Sequence, residues 1–186
     1  MRRLCLVYFF GLVNWFWIGG MRGKMMNGEK ITREQLLSLL QGGNAHISFE
    51  KAIDRFPIEK INTSPTGIPY TPWRLLEHMR IAQWDILEFI RNPEHISPAW
   101  PEGHWPAEGE QADWLRWEKT IVGFQEDHKA LERFVSDTDT GLFAPLAHAP
   151  GYNILREILV VSDHNSYHLG EFALLRQILN AWPVNG

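Results

Sequence analysis

Cysteine is nearly absent from this chain of 186 residues, which contains a single one, Cys5. A disulfide framework within the chain is therefore excluded, because a bridge needs two cysteines. The rest of the protein also has no thiol that could act as a nucleophile. Any thiol chemistry would thus require a thiol that arrives as a substrate.

The sequence also lacks an excess of basic residues. Its 18 Lys and Arg are outnumbered by 22 Asp and Glu, which gives a formal net charge of -4, and the basic residues form no stripe. Proteins that bind nucleic acid usually carry such a basic field, so nucleic acid is not an expected partner. Internal repeats, low-complexity tracts and alternating patterns typical of strands are missing as well.

Several catalytic signatures are missing too. The chain has no G-x-S-x-G elbow, no Walker phosphate-binding loop, no dinucleotide fingerprint and no Cys-x-x-Cys-His motif for haem attachment. The stretch from His164 to His168 lacks the glutamate that follows the first histidine in the H-E-x-x-H peptidases. A zinc peptidase of that class is therefore not expected.

Residues 1–24 differ from the rest of the chain, which we expect to form one domain over residues 25–186. Two arginines precede an apolar run from Leu4 to Ile18. The run is shorter than the roughly 20 apolar residues of a membrane span, and its bulky end is unlike a signal cleavage site. A signal, an anchor and translated upstream sequence before an internal methionine start all stay open. We expect a cytoplasmic protein, or an exported or membrane-anchored one if residues 1–24 are genuine.

Helical spacing of apolar residues predicts the first element of the domain. It starts at Ile31 with a capping-box pattern, Thr32-x-x-Gln35, and is interrupted at Gly42-Gly43 before it resumes as far as Pro57. His46 lies just beyond the interruption. We interpret it as a hydrogen-bonded histidine at a helix start in preference to a ligand.

Three further helices complete the predicted fold. The second starts at Thr71-Pro72, the third near Asp113, and the fourth covers residues 152–182. Residues 92–112 and 136–151 read as long connections. About 20 extended residues reach roughly 60 Å, so the first of these connections can cross the fold and make the second and third helices parallel neighbours. The sequence predicts an all-α protein, a single four-helix bundle with long crossover loops.

Histidines on two of these helices form a candidate metal site. His164 and His168 are one turn apart on the apolar stripe of the fourth helix, and Glu171 lies within roughly 20° of the bearing of His164. His78 lies on or beside the apolar stripe of the second helix. Three imidazoles would leave one coordination position open, as in catalytic zinc sites. Histidines four residues apart also occur by chance, so spacing alone leaves a metal site and a chance pair both open.

The same residues resemble a known family. His78 within Trp73-Arg74-Leu75-Leu76-Glu77-His78, together with the stretch Asp163-His164-Asn165-Ser166-Tyr167-His168-Leu169-Gly170-Glu171, is similar to the DinB-like (DinB/YfiT) superfamily, and the resemblance extends over residues 31–182. It implies a bundle of up-down-down-up topology, often dimeric, that binds a divalent metal through His78, His164 and His168. Many members have glutamine where this chain has Glu171, so a carboxylate here would be a fourth ligand or would support a ligand from behind.

The resemblance also implies a function. Characterised relatives include thiol-dependent S-transferases and isomerases, and hydrolases have been proposed. We therefore expect a divalent ion (Zn, Ni, Fe or Mn) that activates a low-molecular-weight thiol or water, with Glu171 or Tyr167 assisting, although packing is the simpler role for Tyr167. The alternative is a non-catalytic, dimeric bundle that binds a metal or a small molecule. Among the nine tryptophans, Trp100 and Trp105 either pack or line a pocket.

Overall fold

The described part of the protein is mostly helical, which confirms the all-α prediction. A computed structural model describes the backbone of residues 14–183 and the side chains of residues 27–183. The α-helices in this part are α1 (Asn14–Gln41), α2 (Phe49–Ile53), α3 (Pro72–Arg91), α4 (Trp114–Ser136) and α5 (Ile154–Ile178). Two short 3-10 turns, Ile58–Lys60 and Glu102–His104, lie in the connections. The apolar run from Leu4 to Ile18, for which a signal, an anchor and translated upstream sequence stay open, lies partly in residues 1–13, outside the described residues.

Side-chain caps fix where the helices start. The side chain of Thr71 accepts a hydrogen bond from the Arg74 amide, and that of Asp113 accepts one from the Arg116 amide, as the sequence predicted for these two starts. Pro72 occupies the first turn of α3, where its missing N–H has no partner to lose. The long connection between α3 and α4 is confirmed, because α3 ends at Arg91 and α4 begins at Trp114.

The first helix starts earlier than the sequence suggested. The capping-box prediction at Thr32 is wrong, because α1 already runs from Asn14 and the Thr32 hydroxyl donates to the Gly28 carbonyl one turn back. The end of the helix is confirmed. Gly42 and Gly43 follow its last residue with φ of +68° and +76°, a conformation that ends helices and that residues with a Cβ rarely adopt.

The connection before α5 is more regular than a loop. Pro145–Leu146 (β1) pairs antiparallel with Ala149–Asn153 (β2) as a small hairpin. The sequence did not predict it, because apolar and polar residues do not alternate there. Because β2 takes up Tyr152 and Asn153, α5 begins at Ile154, later than predicted. Asn153 is its cap, accepting from the Arg156 amide.

By internal contacts the chain divides between Gln35 and Leu36 into two compact units. Before the division, α1 carries one-turn ion pairs such as Arg33 with Glu29, 2.6 Å apart. The unit that follows holds the main core, in which α3 packs against both α4 and α5. Among the described residues, no helix is long and apolar enough to cross a membrane. The contact between α3 and α5 is the one that builds the site described next.

Two apolar clusters fill this second unit, one on each side of the middle of α3. The first includes Phe49, Trp73, Met79, Phe124 and Phe172. The second includes Leu87, Ile90, Leu131, Ile158 and Val161. Of the two fully buried polar residues of α3, His78 lies beside Met79 in the stretch that serves the first cluster, and Gln83 lies between the stretches that serve the two clusters. The core therefore holds α3 at both of these stretches.

Candidate metal centre

Three histidines meet where α3 packs against α5. His78 comes from α3, and His164 and His168 come from successive turns of α5. The Nε2 atom of His78 lies 3.1 Å from Nε2 of His168 and 3.1 Å from Nε2 of His164. One nitrogen from each ring lies within 4.8 Å of the others, so the group could hold a metal ion. The prediction that His164 and His168 point inward together is confirmed.

Burial keeps the rings of His78 and His164 neutral. His78 is 1% exposed and His168 is 8% exposed, while His164 is partly buried. Burial lowers the pKa of His78 to about 4, although the hydrogen bond to the His104 carbonyl opposes the shift. Burial also lowers the pKa of His164 to about 3, with the neighbouring His168 and His78 adding to the effect. Neutral imidazoles have a free lone pair, which is the form that binds metals.

The hydrogen bonds of two rings fix which nitrogen is free. Nδ1 of His78 donates to the carbonyl oxygen of His104 at 2.8 Å, and Nδ1 of His168 donates to Oε2 of Glu171 at 2.7 Å. With Nδ1 of each ring engaged as a donor, the Nε2 atoms of His78 and His168 are the ones left for a further partner, and they lie 3.1 Å apart. One N–H from His164 could satisfy only one of them. A cation between the rings would satisfy both.

The separations also match metal coordination. Bonds of about 2.0–2.1 Å to a tetrahedral ion place two nitrogen ligands roughly 3.3 Å apart, and octahedral coordination brings neighbouring ligands slightly closer. The two measured separations of 3.1 Å fall within this range. All three donors are imidazoles, which suit zinc, nickel and iron alike. The residues present therefore fit a divalent ion without identifying it.

The third ring, His164, has Asn165 of the same helix as its polar neighbour. Its Nδ1 is buried and has no well-formed hydrogen bond among the described residues, and the same is true of Oδ1 of the adjacent Asn165. The Asn165 side chain nevertheless raises the pKa of His164 against the larger effect of burial. The two unpaired atoms are complementary, a donor and an acceptor on neighbouring residues.

A chain of amides explains why the oxygen of Asn165 is the free atom. Nε2 of Gln83 donates to the carbonyl oxygen of Phe124 at 2.7 Å, and this carbonyl can only accept. Oε1 of Gln83 must then face Asn165, whose Nδ2 donates to it at 2.9 Å. The orientation of both amides follows from the backbone of α4, and it leaves an acceptor beside His164.

Glu171 lies behind His168, on the side of the ring away from the cluster. Its carboxylate accepts from Nδ1 of His168 and also interacts with two phenols, Tyr70 and Tyr167. Burial and the carboxylate raise the pKa of Tyr70 to about 12, and a hydrogen bond to the carboxylate raises the pKa of Tyr167. Both phenols therefore stay protonated at neutral pH and act as donors. This position favours support of a ligand over the fourth-ligand alternative for Glu171.

The sequence did not point to the loop residues that complete the site. Asp85 binds two histidines of the 92–112 connection, His95 through Oδ1 at 2.6 Å and His104 through Oδ2 at 3.2 Å. The carbonyl of His104 then orients His78, and the next residue, Trp105, stacks on the His78 ring at 3.9 Å and 3°. Asp85 lies seven residues after His78, two turns along α3. That spacing was the one available signal.

The structure also places three aromatic residues for which the sequence left alternatives, His46, Trp105 and Trp100. His46 is hydrogen bonded, through Nδ1 to the Ile47 carbonyl at 2.8 Å and through Nε2 to the Ser166 hydroxyl at 3.0 Å, as expected for it. Trp105 packs on a candidate ligand and is partly buried, while Trp100 is 68% exposed beside the same ring.

Comparisons with protein-family profiles, with curated proteins and with solved structures find no match to this chain. The resemblance to the DinB-like superfamily therefore rests on the sequence residues quoted for it.

We expect the affinity for a divalent ion to depend on Glu171. Glu171→Ala removes the acceptor behind His168 and should weaken Zn²⁺ binding by about 10- to 100-fold, while Glu171→Gln keeps a neutral acceptor and should lose less. Titration calorimetry with Zn²⁺ measures the affinities, which should fall in the order wild type, Glu171→Gln, Glu171→Ala. Glu126→Gln, an exposed change on α4, is the control. Equal affinities for all three proteins would contradict this role.

Asp85 should hold the 92–112 connection against opening. Asp85→Ala removes two charge-assisted hydrogen bonds, so backbone amides of this connection should exchange roughly 30-fold faster, equivalent to about 2 kcal/mol. Hydrogen–deuterium exchange followed by mass spectrometry measures the change. Asp139→Ala, in the exposed turn after α4, should leave the connection unchanged. Unaltered exchange in Asp85→Ala would show that the loop is held by its other contacts.

Proposed function

We propose that this protein is a metal-dependent enzyme of the DinB-like type, with His78, His164 and His168 as the metal ligands. The observation that carries the proposal is the convergence of the three imidazoles inside the protein, with Nε2 of His78 3.1 Å from Nε2 of both His164 and His168. Two imidazole nitrogens at this distance need a proton or a metal ion between them, because their lone pairs would otherwise repel. Such a contact would add little to the stability of the protein, so we attribute it to function.

The proposed reaction is S-transfer from a low-molecular-weight thiol, or hydrolysis. A bound divalent ion would supply Lewis acidity, which lowers the pKa of a coordinated thiol or water. The chain itself would contribute orientation and proton handling. Glu171 and the His104 carbonyl hold two of the rings in the tautomer that a metal requires, and the protonated phenol of Tyr167 can donate to a substrate beside Glu171. Zn, Ni, Fe and Mn are all candidates.

The proposal includes a fold, a four-helix bundle of up-down-down-up topology. The four long helices α1, α3, α4 and α5 are the candidates for its members. Packing of α3 against both α4 and α5 supports this arrangement, as does the long connection between α3 and α4. We also propose a homodimer. On α5, the side chains of Leu159, Val160, Leu174 and Ile178 are 40–56% exposed, and a second copy is one way to cover them.

A second candidate function is the non-catalytic binding of a small molecule, and a cavity favours it. The cavity has a volume of about 230 Å³ and is lined by residues on a different face of α5 from that of His164 and His168. The stacked rings of Phe49 and Phe124 contribute to its wall, with His46 and Ser166 as polar neighbours. In this version the metal would have a structural role and the cavity would bind the ligand.

Metal content tests the ligand set. Purified wild type should contain close to one equivalent of a divalent ion by elemental analysis, and alanine variants of His78, His164 and His168 should each lose most of it, because two imidazoles do not form a closed site. His148→Ala, an exposed histidine in the turn between β1 and β2, should retain the ion. Full retention by His168→Ala would end the proposal.

An open coordination position distinguishes the two candidate functions. Co²⁺-substituted protein should change its visible spectrum when a small thiol is added, because an open position exchanges ligands. A spectrum that no thiol or chelating ligand perturbs would favour the structural role of the metal. The alanine variants of His78, His164 and His168 serve as controls, because their spectra show what Co²⁺ outside the site contributes.

A further inference from the structure

Aromatic rings surround the three histidines on the side of the 92–112 connection. Tyr70, Trp105 and His78 form a stack of nearly parallel rings, with Tyr70 5.6 Å from Trp105 and Trp105 3.9 Å from His78. The ring of Trp100 lies 6.5 Å from His78. On α5, the ring of Tyr167 lies 4.9 Å from His168, edge to face. The candidate metal position is thus bordered by rings from three separate segments.

Two of these rings are largely in water. Trp100 is 68% exposed and Tyr167 is 64% exposed, whereas Trp105 is partly buried against His78. Neither exposed ring belongs to the apolar clusters of the core. A single exposed aromatic residue is ordinary, but two beside the same candidate ligands form a surface on which a flat molecule could stack.

The position of Trp100 is set by the same contacts that orient His78. Its ring meets the ring of His104 at 5.1 Å, and His104 is held by Asp85 while its carbonyl binds His78. The ring is therefore placed before any ligand arrives, which reduces the entropy lost on binding.

We infer that the site takes aromatic compounds, which present a donor atom to the metal and stack their ring on an exposed ring beside the ligands, Trp100 next to His78 or Tyr167 next to His168. The inference rests on the proposed function, since it assumes a metal held by the three histidines. It adds a substrate class that neither the three ligands nor an activated thiol or water specifies.

Imidazole and 4-phenylimidazole form a matched pair of probes, because both bind a metal through a neutral nitrogen and only the second carries a phenyl ring. Titrated into the Co²⁺-substituted protein and followed by the visible spectrum, 4-phenylimidazole should bind roughly tenfold more tightly than imidazole. In Trp100→Ala the preference should fall to about threefold or less, while imidazole affinity stays unchanged. Trp100→Phe should restore most of the preference.

Trp114→Ala is the matched control, since Trp114 is also a tryptophan and is 60% exposed, at the start of α4. It should keep the full preference. Tyr167→Ala should lower the preference and Tyr167→Phe should retain it, because the stacking surface is the ring. Each variant removes an exposed side chain, and circular dichroism checks that its fold is intact.

The outcomes separate this inference from the proposed function. If the protein binds Co²⁺ and imidazole but shows no preference for the phenyl compound, the substrate class is wrong and the metal site stands. If Trp100→Ala keeps the preference but changes the molecular mass by sedimentation, Trp100 covers a partner subunit and the inference is overturned. If wild type binds no Co²⁺, the proposed function fails first.

Discussion

The convergence of three imidazole rings is the constraint on which the middle of the protein depends. Nε2 of His78 and Nε2 of His168 are brought to 3.1 Å by helices that pack against each other. A proton or a metal ion has to lie between two such nitrogens, because their lone pairs would otherwise repel. The His104 carbonyl and the Glu171 carboxylate bind the Nδ1 atoms of His78 and His168, and so turn the Nε2 atoms of these two rings toward each other.

Each ring is oriented by a different part of the chain. A backbone carbonyl of the 92–112 connection turns His78, a carboxylate one turn along α5 turns His168, and the side chain of Asn165 acts on His164. Ligand side chains that are already oriented lose less conformational entropy when they bind an ion, so the site would favour ions whose coordination geometry matches it. The long connection is therefore part of the site, which gives a physical reason for a loop of unusual length.

The sequence predicts much of this arrangement because its signals are local. Spacing of one turn places His164 and His168 together, and the Thr71 and Asp113 caps set two helix starts within a residue. What it misses depends on contacts between distant segments. The roles of Asp85 and His104 arise only when the connection folds back on α3, and the Thr32 pattern was misleading because the residues before it continue the helix. The hairpin before α5 is held by pairing between its two strands, and no alternation of apolar and polar residues predicts it.

The buried amides of Gln83 and Asn165 have one more consequence. They join a carbonyl of α4, through α3, to α5, so a line of hydrogen bonds runs across three helices in the interior. Apolar contacts are non-directional, so they specify the partner of each side chain less strictly than hydrogen bonds do. A shift of one helix by a turn would leave polar groups of these amides unpaired in the interior, at a cost in free energy. They thereby fix the register of the helices, and with it the height at which a histidine of α3 meets two of α5.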